Sequence, residues 1–213
     1  MKKAFFILVL SIIFTGTSFA QVKLGLTAGL NISTLSMSEK NEVDWGYLAG
    51  FQGGLLIDCG ITNNFSIIPE LLISQRGAFL WVEEVDNSDN YIKNYFTINY
   101  LQVPLNLTYK IKLGKSAKFL LFAGPYVGYA LSASTETEIS YNGLKESEKE
   151  KVEIGPDEDQ LKALDYGVNI GTGVQFGKIF LKVQYNLGLN NLNNYDVPTT
   201  KNVNVGLTLG YYF

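Results

Sequence analysis

The side chains that most often run hydrolytic and metal chemistry are absent from this sequence. None of its 213 residues is histidine. That removes the commonest general base and the commonest zinc ligand, so a Ser-His-Asp triad and His-based metal sites are excluded. The 21 glycines form no phosphate loop of the required spacing. Asp157, Glu158 and Asp159 could hold Ca²⁺ through oxygen ligands. They sit, however, in an acidic stretch from Ser134 to Ala163 broken by Lys145, Lys149, Lys151 and Lys162. Such a stretch is expected to be a solvated loop, locally helical from Lys145 to Val152. The chain therefore reads as a non-enzyme with no cofactor.

A second set of charges is Lys23, Asp58, Glu70, Arg76, Lys110, Asp165 and Lys182. Each falls on the polar side of a segment that alternates apolar and polar residues. The clearest segment is Asn202 to Phe213. Val203, Val205, Leu207, Leu209, Tyr211 and Phe213 share one side; Asn202, Asn204, Gly206, Thr208, Gly210 and Tyr212 share the other. A period of two predicts a strand with one apolar face. Seven more segments precede it, at about 22–32, 45–59, 65–81, 96–111, 119–133, 164–176 and 179–189. Pairing across the two-residue turn Gly177-Lys178 puts Phe176 opposite Ile179, Val174 opposite Leu181 and Gly173 opposite Lys182. Both faces stay consistent in that register.

The segments are joined alternately by short turns (60–64, 112–118, 177–178) and by long polar stretches. That layout predicts an all-β fold: an eight-stranded antiparallel transmembrane β-barrel with short periplasmic turns and long extracellular loops. No segment after residue 20 reaches 18 consecutive apolar residues, so a membrane position requires a closed barrel. Glycines gather on the polar face, as expected of a cramped interior. Aromatics on the apolar face gather at segment ends, as expected at two water–lipid boundaries. Trp45, Trp81, Tyr129 and Tyr166 belong to the long-loop side, and Phe65, Tyr109, Phe176, Tyr211 and Phe213 to the short-turn side. The competing soluble ligand-binding barrel would turn its apolar face inward.

The seven inward charges then form a lumen network. Eight strands enclose a space about wide enough for side chains to fill, so a salt-bridged plug is expected rather than a conduction path. Glu70 and Arg76 are roughly 20 Å apart along one strand and must find partners on neighbouring strands or in water. Pro69, Pro104 and Pro125 each remove a ladder donor, so bulges or distorted pairing are expected there. The lone Cys59 is expected to be structural.

Lys2 and Lys3, an apolar run from Ala4 to Phe14 and Ser18-Phe19-Ala20 have the layout of a secretory signal cleaved before Gln21. The expected domains are a signal over 1–20 and one barrel over 21–213. The formal net charge of −3 becomes −5 without Lys2 and Lys3, which gives no electrostatic reason to bind nucleic acid. The expected location is the outer membrane of a Gram-negative bacterium.

The segment order resembles the PorT-like outer-membrane β-barrel family. The residues that carry the resemblance are Glu70-Leu71 with Ser74-Gln75-Arg76-Gly77, and Tyr100-Leu101-Gln102-Val103-Pro104-Leu105. To these are added Gly124-Pro125-Tyr126-Val127-Gly128, Asp165-Tyr166-Gly167 with Gly171-Thr172-Gly173, and terminal Tyr212-Phe213. The resemblance covers essentially the whole chain after the signal. It implies a small eight-stranded barrel whose terminal aromatic is read by the barrel-assembly machinery. Outer-membrane lipid is the other expected partner, and no protein partner is identified. The leading expectation is a structural or interaction role through the extracellular loops. A part in an export or assembly apparatus is the alternative that the resemblance implies.

Overall fold

The alternating segments pair edge to edge until the last meets the first. The computed structural model describes residues 22–37, 45–83, 90–141, 144–157, 160–194 and 199–213, with backbone alone for 81–83. The expected signal, residues 1–20, lies outside the described residues. Nine strands follow: β1 (Val22–Met37), β2 (Gly46–Gly60), β3 (Phe65–Glu83), β4 (Tyr91–Lys112), β5 (Ala117–Tyr141), β6 (Leu144–Val152), β7 (Leu164–Phe176), β8 (Ile179–Gly188) and β9 (Thr200–Tyr212). All their pairings are antiparallel. β1, β2, β3, β4, β5, β7, β8 and β9 form a ring that β9 closes on β1. A closed ring leaves no edge of unpaired N–H and C=O groups, which is the condition for crossing hydrocarbon.

Residues 61–64, 113–116 and 177–178 make tight turns at one end of the ring. Gly177 has φ +57°, a left-handed conformation that costs glycine nothing sterically. Across it the register is Phe176↔Ile179, Val174↔Leu181 and Gly173↔Lys182, the pairing that face consistency demands.

Burial follows the same parity. Leu207 is 48% exposed while Thr208 is 2% exposed. Likewise Leu24, Leu30, Ile32, Val183 and Leu209 point outward, and Thr27, Asn31, Gln184 and Asn204 are buried. A girdle of outward aliphatic side chains on every ring strand far exceeds the apolar patches of soluble monomers. This overturns the soluble barrel with an apolar interior.

At Pro69, Pro104 and Pro125 the expected distorted pairing is present, but the expected bulges are not. Pairing keeps a single register past each proline: Leu56↔Glu70 resumes at Cys59↔Ile67, Pro69↔Leu105 at Leu72↔Gln102, and Pro104↔Tyr126 at Leu107↔Ala123. The missing donor interrupts the ladder locally without inserting a residue. The register shifts lie elsewhere, between Tyr47 and Gln52 in β2 and at Asn99/Tyr100 in β4, where Leu131 of β5 is the extra residue.

The stretch from Ser134 to Ala163 is not one loop, and 145–152 is not helical. β5 runs 25 residues and β4 22, well beyond the roughly 9–11 that cross a bilayer. Beyond the ring, β5 turns back into β6, with Ser134↔Lys151, Glu136↔Lys149 and Ser140↔Lys145. The result is a sheet extending from the long-loop end. The backbone ladder of β5 gives the charged β6 hydrogen-bond partners that an isolated helical turn lacks.

Candidate functional site

Inside the ring the inward side chains stack in layers. At the short-turn mouth, Asp58 and Lys110 form an ion pair, with Lys23 and Lys118 half-buried beside them and Lys112 exposed at the rim. Above the mouth lies an apolar layer of Leu56, Ile68, Leu120, Phe180 and Tyr212. Over it, Lys182 Nζ donates to Glu70 Oε1 at 2.6 Å, and Asn106 Nδ2 donates to the same oxygen at 3.0 Å. The space left among Glu70, Asn106, Phe122, Phe180 and Lys182 is about 10 Å³, about what a single water needs.

A belt of amides comes next. Gln52 Nε2 donates to Thr208 Oγ1 at 2.5 Å, Asn31 Nδ2 to Ser74 Oγ at 3.0 Å, and Asn204 Nδ2 to Asn31 Oδ1 at 3.3 Å. Arg76 stands above the belt. Its Nη1 donates to Asp165 Oδ2 at 3.4 Å and its Nη2 to Gln102 Oε1 at 2.7 Å. Its guanidinium lies 5.1 Å from the Tyr126 ring centroid. Asn202 Nδ2 and Tyr126 Oη donate to Asp165 Oδ2 at 3.0 and 3.3 Å.

All seven expected lumen charges thus face inward, and six of them form three ion pairs. None of these pairs joins hydrogen-bonded neighbour strands. Glu70–Lys182 links β3 to β8, on the opposite wall. Arg76–Asp165 links β3 to β7, and Asp58–Lys110 links β2 to β4. Glu70 and Arg76 do find amide partners on the neighbouring β4, Asn106 and Gln102, as expected, but their ion-pair partners come from across the lumen, which the strand pattern did not indicate. An eight-stranded lumen is narrow enough for long side chains to meet across it.

The long-loop mouth is closed by apolar packing. Leu35, Ala78, Ile98, Tyr100, Ala130 and Ala133 from the ring meet Leu161 and Leu192 from the two connections flanking β7 and β8. Leu161 is anchored by bridges to Ile154 and Asn193. Asn194 Nδ2 faces the carbonyls of Gly155, Asp157 and Gln160 at 3.0, 2.6 and 3.0 Å. Asp157, one of the Ca²⁺ candidates, thus gives its main-chain oxygen to this clamp. Glu158 and Asp159 lie outside the described residues. Among the described residues, no three His, Cys, Asp or Glu side chains stand together as metal ligands do.

Of the boundary aromatics, Phe65, Tyr109, Phe176, Tyr211, Phe213, Tyr129 and Tyr166 point outward. Phe65 stacks on Tyr109 with centroids 4.7 Å apart. Trp45 departs from expectation. It precedes β2, packs against the apolar plug and donates its indole N–H to Met37 Sδ at 3.4 Å. The side chain of Trp81 lies outside the described residues. Cys59 is unpaired and half-buried beside the short turn.

On the projecting sheet, Tyr91 Oη donates to Glu138 Oε1 at 2.7 Å, and Lys93 Nζ lies 4.3 Å from the Tyr91 ring centroid. A hydrogen bond with Tyr91, helped by Glu138, holds the Lys145 ammonium above its ordinary pKa. Sequence reasoning gave Gln102 and Asn202 no role in the lumen network and did not single out Leu161, Leu192 or Asn194. Inward parity marks the first two. The loop leucines carry no periodic signal.

Residues 19–194 match a protein family described as outer membrane protein beta-barrel domain. No curated protein matches the sequence. Similar solved structures include Ail, the attachment invasion locus protein of Yersinia pestis, at 17% identity and TM-score 0.41, covering 90% of this chain and 98% of that one. Neisserial surface protein A is similar at 13% identity and TM-score 0.39, covering 89% and 97%. The outer membrane protease OmpT from Escherichia coli is similar at 10% and 0.34, covering 93% and 100%. Likenesses at this level carry nothing about activity.

Proposed function

Because the chain belongs to the outer membrane protein beta-barrel domain family, and so resides in the outer membrane, we propose that it acts at the cell surface through its projecting β4–β5–β6 sheet and not through its lumen. The observation that carries this reading is the length of β5. Its upper half leaves the ring and gains β6 as a new partner. A polar filling crossed by three ion pairs and topped by an apolar plug supports a sealed scaffold with no catalytic part. Loops and strands held on a rigid barrel are where recognition is usually carried.

The same proposal includes export by a signal over residues 1–20, cleavage before Gln21, folding by the barrel-assembly machinery in a Gram-negative envelope, and the narrower PorT-like membership. Mass spectrometry of the mature chain tests the cleavage: a first residue of Gln21 is expected, and an intact Met1 would contradict it.

The surface role is tested with Ser147→Cys in a Cys59→Ser background. A membrane-impermeant maleimide is expected to label intact cells, and a photoreactive maleimide at that position to crosslink an external neighbour. Labelling that requires envelope disruption would sink the reading.

A further inference from the structure

The short-turn mouth is a cup of about 550 Å³. Its wall carries Lys23, Lys110, Lys112 and Lys118 against one carboxylate, Asp58. Asp58 is buried and already paired with Lys110. Lys23, Lys112 and Lys118 enter none of the ion pairs among the described residues. The floor is the apolar layer of Leu56, Ile68, Leu120, Phe180 and Tyr212, so the cup ends blind.

The charge pattern at this end extends beyond the cavity wall to Lys115 and Lys178. The tight turns and the strand ends flanking them carry Lys23, Lys110, Lys112, Lys115, Lys118 and Lys178, with Asp58 the sole acidic side chain among the described residues there. The whole chain is nevertheless acidic, at net −3. Polarity alone gives no structural reason for the charged side chains at this end to be almost all basic. Like charges gathered on a low-dielectric wall repel one another and focus a positive potential into the cup.

We propose that this mouth is a binding site for a small multivalent phosphate, held by Lys23, Lys112 and Lys118. Ammonium groups on flexible stems act as point charges and can surround a tetrahedral oxyanion, whereas the planar fork of arginine suits a carboxylate. The volume lies within the usual range of small-molecule sites, enough for a diphosphate or a phosphate ester. The site goes beyond the surface role and does not depend on it, because the projecting sheet lies at the other end of the barrel.

The test is titration of inorganic pyrophosphate into the full-length barrel in phosphatidylcholine nanodiscs, read by calorimetry. Binding is expected, and Lys112→Gln and Lys118→Gln are each expected to weaken it by roughly tenfold, the scale of one hydrogen bond to a charged group. Lys115→Gln and Lys178→Gln, at the same end but off the cup wall, are expected to change it less than about twofold. Folding of each variant is checked by heat-dependent gel mobility. Lys112 is exposed, so its variant keeps the test open even if Lys118→Gln folds poorly. Repeating the titration with phosphatidylglycerol in the discs separates two sources. Weaker pyrophosphate binding to the native barrel, with the penalty of Lys112→Gln smaller than in phosphatidylcholine, identifies a lipid headgroup as the occupant, and unchanged binding identifies a soluble phosphate. No binding to the native barrel, or equal loss in all four variants, would overturn the site.

Discussion

Lys182 reaches across the lumen to Glu70, and both are buried. Truncating one member leaves the other as an uncompensated buried charge. Lys182→Met is therefore expected to cost about 3–5 kcal/mol, measured by urea unfolding in lipid vesicles. Adding Glu70→Leu should recover much of that loss, because the pair is worth less than the penalty of breaking it. A single variant as stable as the native chain would show that water enters this layer. Gly210 makes a steric prediction. A Cβ there would run into the Phe180 ring, so Gly210→Val is expected to cost about 1–3 kcal/mol by overpacking, and Phe180→Leu should relieve it. At this scale the sequence told which way each charge points but not whom it meets. The pleat fixes in and out, whereas the tilt and closure of the ring decide which side chains face one another across the lumen.

Among the elements, the ring strands were legible because apolar and polar residues alternate along them. β7 and β8 begin where the alternation begins. β6 escaped the same reading. Its sequence Leu144–Val152 alternates glutamate with lysine or serine, so hydrophobicity shows no period at all, while oppositely charged residues a helical turn apart suggest a helix. The plug residues Leu161 and Leu192 were illegible for a related reason: isolated apolar residues in connections carry no spacing. Because β6 pairs only with β5 outside the ring, its loss should leave the barrel intact. Glu148→Pro is expected to open Leu144–Val152 to proteolysis and to change barrel stability by less than about 0.5 kcal/mol. A barrel that no longer folds in that variant would make β6 part of the ring's core.

For the whole molecule, the layers imply a sealed tube: ion pairs and amides across the lumen, an apolar floor above the short-turn mouth and an apolar plug below the long loops. Reconstituted in planar bilayers, the protein is expected to give no steady conductance steps, and stable channels of uniform size would contradict that. The arrangement depends on which side of the ribbon meets lipid. Nitroxide labels at Leu207→Cys and Thr208→Cys, in a Cys59→Ser background, decide it through collision rates with molecular oxygen dissolved in the acyl chains. Frequent collisions are expected at 207 and few at 208. Shielding at 207 with ready oxygen access at 208 would contradict it.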